Sequence, residues 1–464
     1  MKEINSPKEW LSTKISDVSV KGTQRKPNSD EIFDYIDIGS IDRELKKIAT
    51  PQQITGKNAP SRARKVVNEG DVIVSLTRPN LNAVALVPSK YDEQIASTGF
   101  EVIRPILVEP KYIFSMTRTK HFIDNITGAG QGALYPAAKS SDVQAYSFFL
   151  PPLAEQQEIA NQLDSLLAKV DSIKNRLDAI PDIIKRFRQS VLAAAVSGKL
   201  TDEWRKKQHH SLDEWKLKSL GDVALVQTGS TPLKSENKYY DDGDIPWLTS
   251  SVTGQRMVTT SEQFVTSLAV EECRLKIFEP GTLLVAMYGE GKTRGQVTEI
   301  AIRAATNQAC AAVVVDSNKA NKSYVKLCIE ASYQETRRLA EGGNQPNLNL
   351  SKVRSIPVYL PPHIEQQEVI NVVEKLFSVA DKVEEKVSAA QELVNNLTQT
   401  ILAKAFRGEL TSEWREFNQA LITGENSAEA LLAKIKAERD ALYKKKSSKK
   451  KTVKKQTTTR KAQD

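Results

Sequence analysis

Cysteine is scarce in this chain. Cys273, Cys310 and Cys328 are the only three, 37 and 18 positions apart. None forms a CxxC pair, so neither a disulfide framework nor a thiolate zinc site is indicated. The histidines number four, His121, His209, His210 and His363, and none recurs at a fixed spacing from a serine, cysteine or acid. That pattern excludes the usual nucleophilic triads. Long hydrophobic runs are missing as well: no stretch approaches the roughly 18 apolar residues of a membrane span, and MKEINSPKEW has no signal-peptide core. A cytoplasmic protein with no membrane partner is expected. No GxGxxG follows a strand-like run, which removes the dinucleotide and methyl-donor fingerprint. The closest approach to a phosphate loop is Tyr288-Gly289-Glu290-Gly291-Lys292-Thr293. A P-loop needs glycine five places before the Gly of Gly-Lys-Thr, where this chain has Ala286, and the bend is too short to wrap a phosphate. The paired acids Asp241 and Asp242 lie in a turn-like DDGD, where solvation accounts for them. No catalysis and no cofactor are expected within the chain, and no metal.

The chain has 464 residues, 40% hydrophobic and 27% charged, an ordinary composition for two to four folded domains. Its net charge of +9 is concentrated at one end. From 443 to 464 the segment YKKKSSKKKTVKKQTTTRKAQD holds ten Lys and Arg against one acid, so residues 1–442 are near neutrality. This segment, nearly devoid of apolar side chains, is expected to be disordered. It serves either as a solubilising tail or for loose, salt-sensitive contact with phosphates.

The dominant feature is a duplication. Residues 148–205 run FFLPPLAEQQEI through SGKLTDEWR, and residues 358–415 run VYLPPHIEQQEV through RGELTSEWR, at a constant offset of 210 with 21 of 58 positions identical. Identities cluster at the two ends. Between them Ile159, Leu163, Leu166, Val170, Ile173, Leu177, Ile180, Ile184, Phe187, Val191 and Ala194 are spaced alternately four and three apart, the seam of a coiled coil. Val369, Val373, Leu376, Ala380, Val383, Val387, Ala390, Val394, Leu397 and Ile401 keep the same register, which fails only at Lys404. A helix from 155 to 196 is about 60 Å long, a length sensible only against an equal partner. A duplicated pair related by an approximate two-fold axis is antiparallel.

The segments between the repeats are a fainter duplication. Residues 1–147 and 206–357 each open with a Glu-Trp (Glu9-Trp10, Glu214-Trp215) and continue in short strand-like runs. DYIDIGSI is answered by IPWLTSSV, and NEGDVIVSLTR by EPGTLLVAMYG. A helix is expected around 110–126. Each segment closes in a glycine-rich loop, TGAGQGALYPAAKSSDV or EGGNQPNLNLSKV. The fold expected is α+β: two mixed α/β domains separated by an antiparallel coiled coil of two long helices. A short amphipathic helix within 416–442 has no counterpart in the first half. Candidate ligand-contacting residues are those whose donors and acceptors match phosphates and base edges. In the first domain these are Arg62, Arg64, Lys65, Arg78, Asn80, Gln131, Tyr135 and Lys139; in the second, Tyr288, Lys292, Arg294, Asn344, Gln345 and Asn347.

PPLAEQQEI and PPHIEQQEV opening long helices, and SGKLTDEWR and RGELTSEWR closing them, make the chain resemble the specificity subunit of type I restriction-modification enzymes. ILAKAFRGELTSEWR followed by GENSAEALLAKIKAER is similar in particular to the enteric type IA branch. The resemblance implies two target recognition domains, each reading half of a bipartite, asymmetric site in double-stranded DNA, with the helix pair fixing the unread spacer. It also implies partners: two modification subunits that hold S-adenosylmethionine and methylate adenine, and restriction subunits that use ATP and Mg. The readings that compete with it are a coiled-coil scaffold that never touches DNA and an enzyme with a concealed methylase or nuclease site.

Overall fold

The computed structural model describes residues 6–128, 136–289, 293–340 and 347–460. The chain divides into two compact units. Unit 1 comprises Met1–Arg176 and Ala390–Asp464, and unit 2 comprises Leu177–Ala389.

In unit 1 the strand Leu11–Lys14 pairs antiparallel with Ser147–Leu150, so the domain's first strand closes on its last. A four-stranded sheet in the order Ser19–Lys21, Phe100–Pro105, Val72–Ser75, Val84–Leu86 forms its middle layer. Strand side chains alternate between faces, and the run VIVS is apolar on both. Val72 and Val74 join Ile103, Tyr112, Ile113 and Phe122 on one side, while Ile73 joins Ile36, Ala85 and Val102 on the other. A second sheet runs Gln52–Thr55, Ile32–Ile36, Ile95–Ser97, Ala63–Val66, with its central pair parallel. The helix expected around 110–126 is two, Pro110–Thr117 and Lys120–Thr127. They part at Arg118–Thr119, where the Thr119 hydroxyl accepts from Phe122 N at 3.2 Å and so caps the second.

Unit 2 repeats this plan. Lys216–Ser219 pairs with Pro357–Leu360. The sheet Ala224–Thr228, Cys310–Val315, Leu283–Ala286, Val297–Ile300 gains a fifth strand, Met257–Val258, and the second sheet runs Phe264–Val265, Ile245–Leu248, Ala304–Thr306, Ile277–Phe278. Leu283 and Val285 face one cluster and Leu284 the other, as in unit 1. The thiols of Cys310 and Cys328 lie inside, and burial pushes each up to about 12.

Both long helices have 44 residues, Leu153–Val196 and His363–Phe406. The identical residues at the repeat ends meet across the copies. In unit 1 the Glu155 carboxylate, fully buried, accepts from Trp10 Nε1 at 2.9 Å, Thr411 Oγ1 at 2.7 Å and Arg415 Nε and Nη2 at 3.0 and 2.8 Å. In unit 2 Glu365 accepts from Trp215 Nε1 at 2.9 Å, Thr201 Oγ1 at 2.7 Å and Arg205 Nε at 2.8 Å. The start of one copy is thus bound to the end of the other in each unit. Within unit 2, Arg188 bonds Asp381 at 2.6 Å, so numbers fall along one helix as they rise along the other, as antiparallel packing requires. Gly198 and Gly408 end the helices at φ 76°. A Cβ on Gly408 would lie 2.3 Å from Pro7 Cγ, and one on Gly198 2.6 Å from Leu212 Cδ1.

The heptad seam holds only in part. Ile159, Leu163, Val170, Ile184, Val191, Val369, Val373, Ala380, Val387 and Val394 are buried, but Ile173, Phe187, Val383 and Leu397 remain 39–44% exposed. Toward the helix ends burial moves to Ala195, Leu402 and Ala405, in place of Ala194 and Lys404. A straight helix drifts about 20° per heptad against a strict seven-residue repeat, and the ends pack on domain cores rather than on a lone partner helix. The helix beginning at Ala428 continues to Arg460, longer than the short helix expected within 416–442. Lysine is a good helix former, and this helix is seeded by Ala428, Leu431 and Ile435 buried in unit 1.

Arg205→Met should leave the Glu365 carboxylate buried without its counter-charge and lower stability by about 3–5 kcal/mol. Adding Glu365→Leu should recover most of that loss; urea denaturation followed by tryptophan fluorescence measures both.

Candidate nucleic-acid interface

The sheets bring the candidate residues of each unit toward common ends. In unit 1, strand Val72–Ser75 runs out into the turn Arg78–Asn82. Leu76 N donates to Gly99 O at 2.8 Å and Thr98 N to Arg62 O at 2.9 Å, so the Arg62 and Arg78 segments flank one short link. Arg78 N donates to Pro136 O at 2.9 Å and Ala138 N to Leu76 O at 2.8 Å, which brings the Lys139 segment alongside. Arg62, Arg78, Asn80 and Lys139 are exposed there and Arg64 is half-buried. Gln131 and Tyr135 lie outside the described residues.

Lys65 is placed differently. Its ammonium meets Glu101 Oε2 at 3.0 Å, with the two side chains 11% and 10% exposed. The other Glu101 oxygen accepts from Gln144 Nε2 at 2.8 Å. Lys65 therefore ties two sheets together, beside a cavity of about 380 Å³ that Lys21, Gln24, Ser141 and Gln144 also line. The cation is spent on an internal carboxylate, which the sequence APSRARKV gives no means of foreseeing.

Unit 2 repeats the pairing of loops. Leu348 N donates to Met287 O at 3.0 Å, setting Asn347, half-buried, beside the exposed Tyr288. Arg294 follows on the same loop; its Nη2 reaches Gly289 O at 3.4 Å, and its buried Nε has no hydrogen-bond partner among the described residues. Lys292, Asn344 and Gln345 lie outside the described residues. Of the rejected histidines, His121 bonds the Tyr146 hydroxyl at 2.7 Å and His210 meets Glu214 at 3.0 Å.

Sequence reasoning passed over Arg43, Lys46 and Arg118. The segment Arg43-Glu44-Leu45-Lys46-Lys47 reads as a solvated mixed-charge turn, and Arg118 as a helix terminus. In the fold Lys46 and the junction at Arg118 meet the Arg78–Asn82 turn, and Arg43 lies near Lys46. Lys46 Nζ donates to Asn82 O at 2.7 Å, and Asn82 Nδ2 to Thr117 O at 2.9 Å, next to Arg118. Lys46, Arg78 and Asn82 all adopt left-handed φ, 53°, 49° and 47°. That conformation costs a non-glycine residue about 1–2 kcal/mol, less for Asn. Burial first, then the guanidinium groups of Arg118 and Arg43, push Lys46 down to about 8.

Each unit is thus a mixed α/β domain with polar and cationic loops gathered at one sheet end. Comparison with known proteins gives the family. The model of the type I restriction modification DNA specificity domain matches residues 7–182 and again 212–390. The chain is 32% identical over 459 residues to the StySPI specificity subunit of Salmonella potsdam, covering 95% of this chain and 98% of that one. It is 31% identical over 473 residues to the EcoKI specificity subunit of Escherichia coli strain K12, covering 95% and 98%. A solved chain from a study of assembly and conformational transition of the type I R-M system superposes with a TM-score of 0.74 at 25% identity, covering 87% of this chain and 99% of that one. The HsdS subunit from Thermoanaerobacter tengcongensis gives 0.63 at 25% identity, covering 87% and 98%. This chain belongs to the family of type I restriction enzyme specificity subunits.

Lys65→Ala should cost about 1–3 kcal/mol by stranding Glu101, whereas exposed Arg62→Ala should stay within about 0.5 kcal/mol of the parent. Urea midpoints of the two variants make the comparison.

Proposed function

We propose that this chain is the DNA-specificity subunit of a type I restriction-modification complex, reading a bipartite, asymmetric target with one domain per half-site. The observation that carries the reading is the pair of equivalent domains whose corresponding loops differ. Arg78, Asn80 and Lys139 in unit 1 answer to Tyr288, Arg294 and Asn347 in unit 2, so each head presents its own donors and acceptors. Backbone phosphates take the exposed arginines and lysines, which position the head; Asn, Gln and Arg reach base edges and specify. The full-length match to specificity subunits favours this over a DNA-independent scaffold.

Under this reading, methyl transfer and cleavage belong to partner subunits: two modification subunits holding S-adenosylmethionine, and restriction subunits using ATP and Mg. Two copies of one partner on a single chain follow from the duplication, since each repeat offers an equivalent docking surface. Ile173, Phe187, Val383 and Leu397, exposed on the long helices, are the apolar positions such partners would cover. The same reading expects the chain in the cytoplasm, where its DNA lies; among the described residues no helix is long and apolar enough to cross a membrane. The length of the 44-residue helices sets the unread spacer.

Exchanging residues 1–147 for the corresponding domain of another family member should change one half-site and leave the other intact, read by mapping methylated adenines across the host genome. A change in both halves, or in neither, refutes the modular assignment. The purified chain alone should show no methyl transfer and no cleavage. Lengthening both helices by one heptad should widen the spacer, while lengthening one should impair assembly.

A further inference from the structure

Unit 1 brings the cationic side chains of Arg43, Lys46 and Arg118 near one another. Arg43 and Lys46 come from the turn after the strand Ile41–Asp42, and Arg118 from the junction between helices Pro110–Thr117 and Lys120–Thr127. Lys46 uses one donor on Asn82 O at 2.7 Å. Arg118 lies over the Phe114 ring, 5.3 Å from its centroid, and its Nε is buried with no hydrogen-bond partner among the described residues. Such an atom costs about 1–3 kcal/mol when left unmade.

The neighbouring acids are mostly committed elsewhere. Asp42 accepts from Glu44 N and Leu45 N, both at 2.9 Å, closing its own turn. Asp164 is held by Lys111 at 2.6 Å, and Glu44, 84% exposed, faces Lys174 at 3.7 Å. Asp171 on the long helix is the remaining carboxylate that favours the charged form of Arg118. Burial first, and then the guanidinium groups of Arg118 and Arg43, push Lys46 down against the pull of Asp42, and burial lowers Arg118 against that of Asp171 and Asp164. Strained left-handed backbone at Lys46 and Arg78 is held at the same place.

We propose that Arg43, Lys46 and Arg118 form an anion site that grips one backbone phosphate of duplex DNA beside the Arg78–Asn82 turn, fixing the register of unit 1 on the duplex. The site rests on the DNA-reading function proposed above. It positions and does not specify: a phosphate contact weakens binding alike for every sequence when it is lost. Arg43 is exposed and outside the packed core, so its substitution leaves the fold intact, whereas Lys46 also anchors the turn.

The test uses the full chain assembled with its modification subunits. Arg43→Gln and Arg43→Gln/Lys46→Gln are titrated against a random-sequence duplex and against host target DNA over a range of salt. Neutralising one phosphate contributes about 0.9 to the slope of log K against log salt. The double variant should lose about that much slope, with a several-fold loss of affinity on both duplexes and no change in the methylated sequence. A purely structural role for Lys46 would lower the thermal midpoint and leave the slope where it was, which overturns the proposal. An unchanged slope accompanied by loss of inorganic phosphate binding would mark a free-anion site and overturn it too, as would an altered recognition sequence. If the unsubstituted complex discriminates no duplex from any other, the function proposed above fails first and this site with it.

Discussion

Two buried carboxylates, Glu155 and Glu365, impose the architecture. A carboxylate with essentially no solvent exposure costs several kcal/mol unless charge and hydrogen bonds replace its water. In each unit the replacement comes from three places in the chain: a tryptophan that opens the domain, and a threonine and an arginine that close the other copy of the repeat. Neither copy is complete by itself. Because Glu155 takes Arg415 and Glu365 takes Arg205, the start of each helix is joined to the end of its counterpart, and parallel packing is excluded.

The rest of the repeat's identity follows from the same locus. Gln156 donates to Pro151 O at 2.7 Å and accepts from Glu109 N at 3.0 Å, while Gln366 does the same with Pro361 O at 2.8 Å and Asn321 N at 2.7 Å. These bonds fasten the domain's helix starts to the long helices. Arg415 Nη2 in turn caps Gly408 O at 2.7 Å, where a side chain would strike Pro7. Positions that hold the joints are identical between copies; those that line loops have drifted. Stability is concentrated in a duplicated frame, and recognition is left to surfaces free to diverge.

Much of this was legible in the sequence. The fixed offset and the apolar spacing marked the long helices and the duplicated domains, and VIVS marked a strand. The seam was less reliable, because periodicity does not reveal where a helix leaves its partner and meets a domain: Ile173 and Phe187 match the heptad and stay exposed, while Ala405 lies outside it and is buried. At the candidate site, sequence identified loops better than individual side chains. Arg78 and Lys139 are brought together, but Lys65 proved to be an internal partner of Glu101, a contact between residues 36 apart that no local pattern signals. Arg43, Lys46 and Arg118 were missed because only the fold makes neighbours of a charged turn and a helix terminus.

Hydrogen exchange on a Glu365→Ala variant tests most directly whether the joints are made between copies. Protection should fall together around 191–205 and 363–373, segments from different copies that share unit 2, while 153–167 and 401–415 keep theirs. Loss running along 358–415 as one sequence block would contradict the account.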